Sequence, residues 1–215
     1  MDTKKEKDDL FLSACSSGDI ELAIQAITSG ADINALTSMK NNGLFLAATK
    51  GKKEFFLWLL QVEQGDKKVD VNHINSNGNS LLWELVKNNL DVSYIKPLID
   101  NGADVNKKTK NGSTPLIQAV SNINEDLVDL LLKSGANSNE RLLDKTDALL
   151  MACSEGNFNI VKSLVEYNAN VNTIDSDGRS ILVVSFVLFF FFFFFNVPAT
   201  FFFFFLMIRR PPRST

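Results

Sequence analysis

Reactive side chains are scarce in this chain. It has one histidine and two cysteines in 215 residues. A lone imidazole, His73, excludes the paired-histidine zinc patterns. No Cys-x-x-Cys, P-loop or dinucleotide-binding glycine pattern is present. His73 acting as a general base would need an oriented partner and a pocket. The scattered acids, Glu155 and Asp175 among them, form no legible pair. No catalytic residue, metal site or cofactor is therefore expected. A basic surplus is missing too: 22 Lys and Arg stand against 25 Asp and Glu, a net charge of −3, and setting aside three arginines at the far end leaves 19 against 25, or −6. That balance argues against general nucleic-acid binding. The local basic loop Lys107-Lys108-Thr109-Lys110 reads as one solvated fingertip rather than as a phosphate or acidic-peptide contact. Met1–Asp9 is almost all charged and has no apolar run for a signal peptide. The sequon Asn111-Gly112-Ser113 is expected to be idle.

What the chain does have is most legible between Asn111 and Asn139. Asn111-Gly112 is a turn signal, since both residues tolerate positive φ. Thr114 suits a helix cap and Pro115 a first helical turn. Leu116, Ala119 and Val120 form a short apolar face. Glu125 and Asp126 suit the positive end of a second helix dipole. Leu127, Val128, Leu131 and Leu132 follow at helical spacing. Lys133 complements the far end, and Gly135 can take the left-handed turn that stops the helix.

This unit recurs. Its closing asparagine returns as Asn34, Asn72, Asn106, Asn139 and Asn172, at spacings of 38, 34, 33 and 33 residues. Small pairs recur as Ala14-Cys15, Ala47-Ala48 and Ala152-Cys153, and the closing run as Gly30-Ala31-Asp32-Ile33-Asn34 and Gly102-Ala103-Asp104-Val105-Asn106. A 33-residue period with these motifs resembles the ankyrin repeat. The resemblance covers roughly residues 8–180 and implies an all-α solenoid of stacked helix-turn-helix units with short β-hairpin-like loops. The expected boundaries are a charged tail at 1–8, repeats at 9–36, 37–74, 75–108, 109–139 and 140–173, and the start of a sixth at 174–182.

Several repeats depart from the pattern. Asn42-Gly43 replaces Thr-Pro, so the first helix of repeat two should start less firmly. Gln64-Gly65-Asp66-Lys67-Lys68 reads as a tolerated loop insertion. Trp83, where the family usually has histidine, is expected to be a buried packing residue. Asn88-Asn89 takes the place of a break glycine, and Asn168 that of a stop glycine. Pro97 falls inside a helix and predicts a kink or a late start. Lys145 and Asp147-Ala148 predict an irregular turn in repeat five. Cys15 and Cys153 sit four repeats apart, about 40 Å at ~10 Å per layer, too far for a disulfide. They read as small buried hydrophobes of a reducing compartment.

The period fails after about Ser185. Residues 183–215 hold two phenylalanine runs and end in Leu206-Met207-Ile208-Arg209-Arg210-Pro211-Pro212-Arg213-Ser214-Thr215. The run 181–195, apolar apart from Ser185, is shorter than the ~18–20 residues a membrane helix needs. Phenylalanine runs are what a thymine homopolymer encodes, and the ending resembles translated sequencing-adapter read-through. The tail is therefore read as non-native rather than as a membrane anchor, and the natural chain is expected to continue differently past Leu182.

An isolated unit cannot cover its own apolar face, so neighbours must stack, leaving an exposed concave side. The resemblance implies protein–protein recognition through hairpin tips and inner helix faces. The corresponding tip residues are Asn41, Asn42, His73, Asn75, Asn77, Lys108, Lys110, Asn111, Asp144 and Lys145. The inner-face residues are Lys50, Glu84, Lys87, Gln118, Ser121, Asn122, Ser154 and Glu155. The expected protein is a monomeric, non-catalytic binding scaffold of the cytoplasm, with the nucleus open as an alternative. Its partner is another protein, and neither nucleic acid nor membrane is expected. The alternative is a regulatory or substrate-recognition fragment of a larger enzyme, such as a kinase or ubiquitin ligase.

Overall fold

Thr3 opens the first helix. Its hydroxyl accepts from the Glu6 amide (3.3 Å), while Glu6 Oε2 accepts from the Thr3 amide (2.5 Å), a reciprocal capping box. α1 therefore runs Lys4–Ser17, so residues 4–8 of the charged segment belong to the first helix rather than to a separate tail. The computed structural model describes residues 3–174, 176, 178 and 180. Of the sixth unit, a bridge between Ile174 and Ser180 is described; residues 183–215 lie outside the described residues.

The helices come in pairs: α1 with α2 (Ile20–Thr28), α3 (Gly43–Thr49) with α4 (Lys53–Leu59), α5 (Leu81–Lys87) with α6 (Val92–Asp100), α7 (Pro115–Ser121) with α8 (Glu125–Lys133), and α9 (Ala148–Glu155) with α10 (Phe158–Glu166). Contacts divide the chain into two compact units, Met1–Asn137 and Ser138–Thr215. In the first, α1 packs on α3, α3 on α5 and α5 on α7, so first helices stack on first helices, and α4 packs on α6. Phe11, Phe45, Phe55, Phe56, Leu82 and Ile95 are among its fully buried side chains. Leu10 is exposed and Leu12 buried. In the second unit α9 packs on α10, burying Leu149, Leu150, Ile160 and Leu164.

The closing asparagines join successive loops. Asn34 Nδ2 donates to the Lys68 carbonyl (3.0 Å) and its Oδ1 accepts from the Asp70 amide (2.7 Å). Asn72 does the same with Gly102 and Asp104 (2.9 and 2.7 Å). Asn106 does so with Gly135 and Asn137 (3.1 and 2.7 Å), and Asn139 with Asn168 and Asn170 (3.1 and 2.7 Å). The residue two before each of Asn34, Asn72, Asn106 and Asn172 is Asp or Asn, and it accepts from that asparagine's amide, forming an Asx turn. In repeat one, Asp8 takes the acceptor part: its Oδ1 accepts from the Asp32 amide (2.7 Å), and Lys7 Nζ donates to the Ser29 carbonyl (2.6 Å).

Several local departures resolve differently from expectation. Asn42 is a firm cap for α3: its Oδ1 accepts from the Phe45 amide (3.3 Å) and its Nδ2 donates to the Asp70 carbonyl (2.8 Å). Gly43 is required because a Cβ there would meet Cys15 Sγ at 2.7 Å and Leu59 Cδ2 at 3.0 Å. The insertion is a hairpin of β1 (Glu63–Gln64) and β2 (Lys67–Lys68). Its Gln64 side chain accepts from the Ile33 amide (3.2 Å) and donates to the Ala31 carbonyl (2.6 Å), so the loop braces repeat one. α6 is not late. Asp91 caps it at Val92, and the helix runs through Pro97, whose carbonyl accepts from the Asn101 amide (3.0 Å). In so short a helix the proline denies a donor only to the Ser93 carbonyl. The turn of repeat five is regular: Lys145 adopts φ 65°, and Leu142 and Thr146 pair as Thr109 and Ser113 do in repeat four. Asp147 replaces threonine as the α9 cap, accepting from the Leu150 amide (2.9 Å); Thr173 donates to its other oxygen, and Arg141 lies 3.6 Å away.

At the break between paired helices the chain takes positive φ at Gly18, Gly51, Asn89, Ile123 and Gly156. Asn89 and Asn168 accept this geometry as expected. Ile123, at φ 55°, is the costly exception because its branched Cβ crowds the backbone. Ile123→Gly should raise stability by about 1 kcal/mol in urea denaturation. Asn72→Ala should lower it by about 1–2 kcal/mol through the loss of two inter-loop bonds, whereas Asn77→Ala, on an exposed tip, should stay within about 0.5 kcal/mol.

Candidate functional site

The first helices of the repeats carry a repeated polar row. On α3, α5 and α7 it comprises Lys50, Glu84, Lys87, Gln118, Ser121 and Asn122, all in the first unit. Lys50, Lys87 and Ser121 are exposed. The others are half-buried and bonded within the fold. Glu84 Oε1 accepts from Asn79 Nδ2 (2.7 Å). Asn122 Nδ2 donates to the Val86 carbonyl (2.7 Å), while its Oδ1 accepts from Gln118 Nε2 (2.9 Å). Gln118 and Asn122 thus tie α7 to the end of α5, which limits their freedom to meet a partner. Trp83 is buried, with Nε1 donating to Ser113 Oγ (3.1 Å), and Lys87 Nζ lies 5.3 Å from its ring centroid. It is the packing residue expected.

The hairpins of repeats two to four form the second row. Asn77, Lys108, Lys110 and Asn111 are exposed at the tips, and Asn41 and His73 are half-buried. Asn75 is a turn former, its Oδ1 accepting from the amides of Asn77 (3.0 Å) and Asn79 (3.2 Å). Asn42, read as a tip residue, is instead 1% exposed and serves as the cap of α3, so it leaves the surface set. The hairpins are laced together. The Ser76 amide donates to the Met39 carbonyl (3.0 Å). His73 Nε2 lies 2.7 Å from the Lys40 carbonyl, which can only accept, so Nε2 carries the proton. A Cβ on Gly78 would come within 2.8 Å of Lys110 Cε, so the lysine stem lies across a glycine tip.

In the second unit, Asp144 and Lys145 are exposed on one tip. Ser154 and Glu155 are exposed at the end of α9, with Ser154 Oγ donating to the Met151 carbonyl (2.8 Å).

Three exposed apolar residues were not marked by their sequence pattern: Leu36, Met39 and Ile74, all on hairpins two and three. Leu36 and Ile74 occupy the column that holds Lys108 in repeat four, and that charged member is the signal that the column faces water.

A family model described as Ankyrin repeats (3 copies) matches residues 10–109, 65–142 and 124–186. The chain belongs to the ankyrin repeat family. Compared with curated proteins it gives no match. Ankyrin repeats are generally protein–protein interaction modules and typically non-catalytic. In this ankyrin repeat chain, no helix among the described residues is long and apolar enough to cross a membrane. Among the same residues, no group of three or more His, Cys, Asp or Glu side chains gathers into a metal set.

A strongly displaced ionisation lies in the core. Burial pushes the Cys15 thiol up to about 12, with a smaller opposing effect from its backbone hydrogen bond. The folded state disfavours the thiolate, so this contribution to stability is complete below the ordinary thiol range near 9 and is lost as pH rises from there towards 12. Urea midpoints of the wild type should therefore fall more steeply above pH 9 than those of Cys15→Ala. At neutral pH a thiol reagent should label Cys15 only at the rate of unfolding.

Proposed function

We propose that this ankyrin repeat chain is a non-catalytic adaptor that binds another protein through its hairpin tips and the inner faces of α3, α5 and α7. The observation that carries the reading is the repetition of exposed side chains at equivalent places of adjacent repeats, with Lys87 and Ser121, beside Lys50, on one row and Asn77 and Asn111, beside Lys110, on the other. Packed repeats hold such rows in fixed register, which favours recognition of an extended partner. The buried cysteines Cys15 and Cys153 support a reducing compartment, the cytoplasm or nucleus, and the same reading makes the protein a monomer.

Affinity capture with the full chain tests this. A bait carrying Lys50→Glu and Ser121→Glu should lose the proteins retained by the wild type. A control bait carrying Lys133→Glu, at the end of the second helix α8, should keep them. Equal retention by all three baits would refute an inner-face site.

A further inference from the structure

The hairpin edge of repeats two to four differs in charge from the rest of the molecule. Residues 36–41, 73–79 and 107–113 hold four lysines, Lys40, Lys107, Lys108 and Lys110, and no Asp or Glu, within a chain in which acids outnumber bases. The nearest acids along the chain, Asp32, Asp70 and Asp104, have one carboxylate oxygen committed to the amides of Asn34, Asn72 and Asn106 (3.0, 2.9 and 2.8 Å).

Apolar surface lies on the same edge: Leu36 is 44% exposed, Met39 53% and Ile74 43%. The lacing of Ser76 to Met39, His73 to Lys40 and Lys110 across Gly78 makes this one continuous rim. Lys40 carries a further sign. It holds φ 54° at a place where the next two repeats have Gly78 and Gly112. A lysine in that conformation is less favourable than glycine, because its Cβ crowds the following carbonyl oxygen. Strain of this kind persists where the surrounding structure enforces it, and it clusters at ligand-binding sites.

We propose that this rim, formed around Leu36, Met39, Lys40, Ile74, Lys107 and Lys110, docks an extended acidic segment of a partner protein that also bears apolar side chains. The inference rests on the adaptor reading and names its partner chemistry. Carboxylates meet the lysine row while apolar side chains cover Met39 and Ile74. Two repeat steps of ~10 Å match roughly six residues of extended chain at ~3.3 Å each.

The test is fluorescence anisotropy of the full chain with a labelled peptide of about ten residues alternating glutamate with leucine and serine. Two control peptides replace its glutamates by lysine or its leucines by serine. The acidic-apolar peptide should bind best, and more weakly as salt rises. Binding should fall about tenfold with Lys40→Glu plus Lys110→Glu, and also with Met39→Ser plus Ile74→Ser. Lys40→Gly should melt at a higher temperature than the wild type yet bind more weakly, a split that a purely structural lysine would not produce. Equal binding of the three peptides would overturn the proposal, as would a charge-reversed chain that binds like the wild type. So would single-stranded oligothymidylate that binds as tightly and is indifferent to the Met39 and Ile74 changes. If the rim fails while Lys50→Glu plus Ser121→Glu still abolishes capture, the adaptor reading stands and this inference alone falls.

Discussion

The structure depends on one side chain's ability to donate and accept at once. The carboxamides of Asn34, Asn72, Asn106 and Asn139 each reach a carbonyl and, two residues on, an amide in the following loop. Aspartate offers no donor at neutral pH and an aliphatic residue offers neither group, whereas the asparagine carboxamide satisfies both from one direction. Because the bond pair is backbone-directed, it fixes each loop against the next irrespective of the side chains around it. Within the first unit that register is what lets first helices meet first helices and close their apolar faces. Asp8 and Lys7 divide the two functions of the missing asparagine at the first loop.

A backbone held this firmly tolerates local expense. Positive φ at Lys40, Ile123 and Lys145 is unfavourable taken singly, yet each sits at a turn whose neighbours are pinned. The two lysines are exposed at hairpin tips, so the expense falls where side chains face solvent. The same firmness explains why five residues can be inserted after Val62 without disturbing the stack. The extra chain closes on itself as β1 and β2 and returns Gln64 to the loop of repeat one.

The fold was largely legible because its determinants are local and periodic. Apolar spacing, Thr-Pro and Asx caps and the recurrent asparagine each act within one unit, and repetition averages out single departures. The candidate surface was less legible. Asn42, Gln118 and Asn122 have the composition of surface residues, and nothing local distinguishes a polar group facing water from one bonded to the neighbouring repeat. The same ambiguity hid Leu36, Met39 and Ile74, whose aliphatic chains look like core residues until the column they share with Lys108 is seen to face outward.

By itself the sequence determined the repeat period, the helix pairs and the loop-closing asparagine, since hydrogen-bond capacity and hydrophobic spacing are properties of the residues in order. Only the tertiary structure decided which polar side chains the stack consumes, that Asp8 completes the first loop, and that lysines and apolar residues from three hairpins share one rim. Those outcomes depend on which groups approach across a gap of about 30 residues, and a side chain's partner at that range is set by packing rather than by its neighbours along the chain.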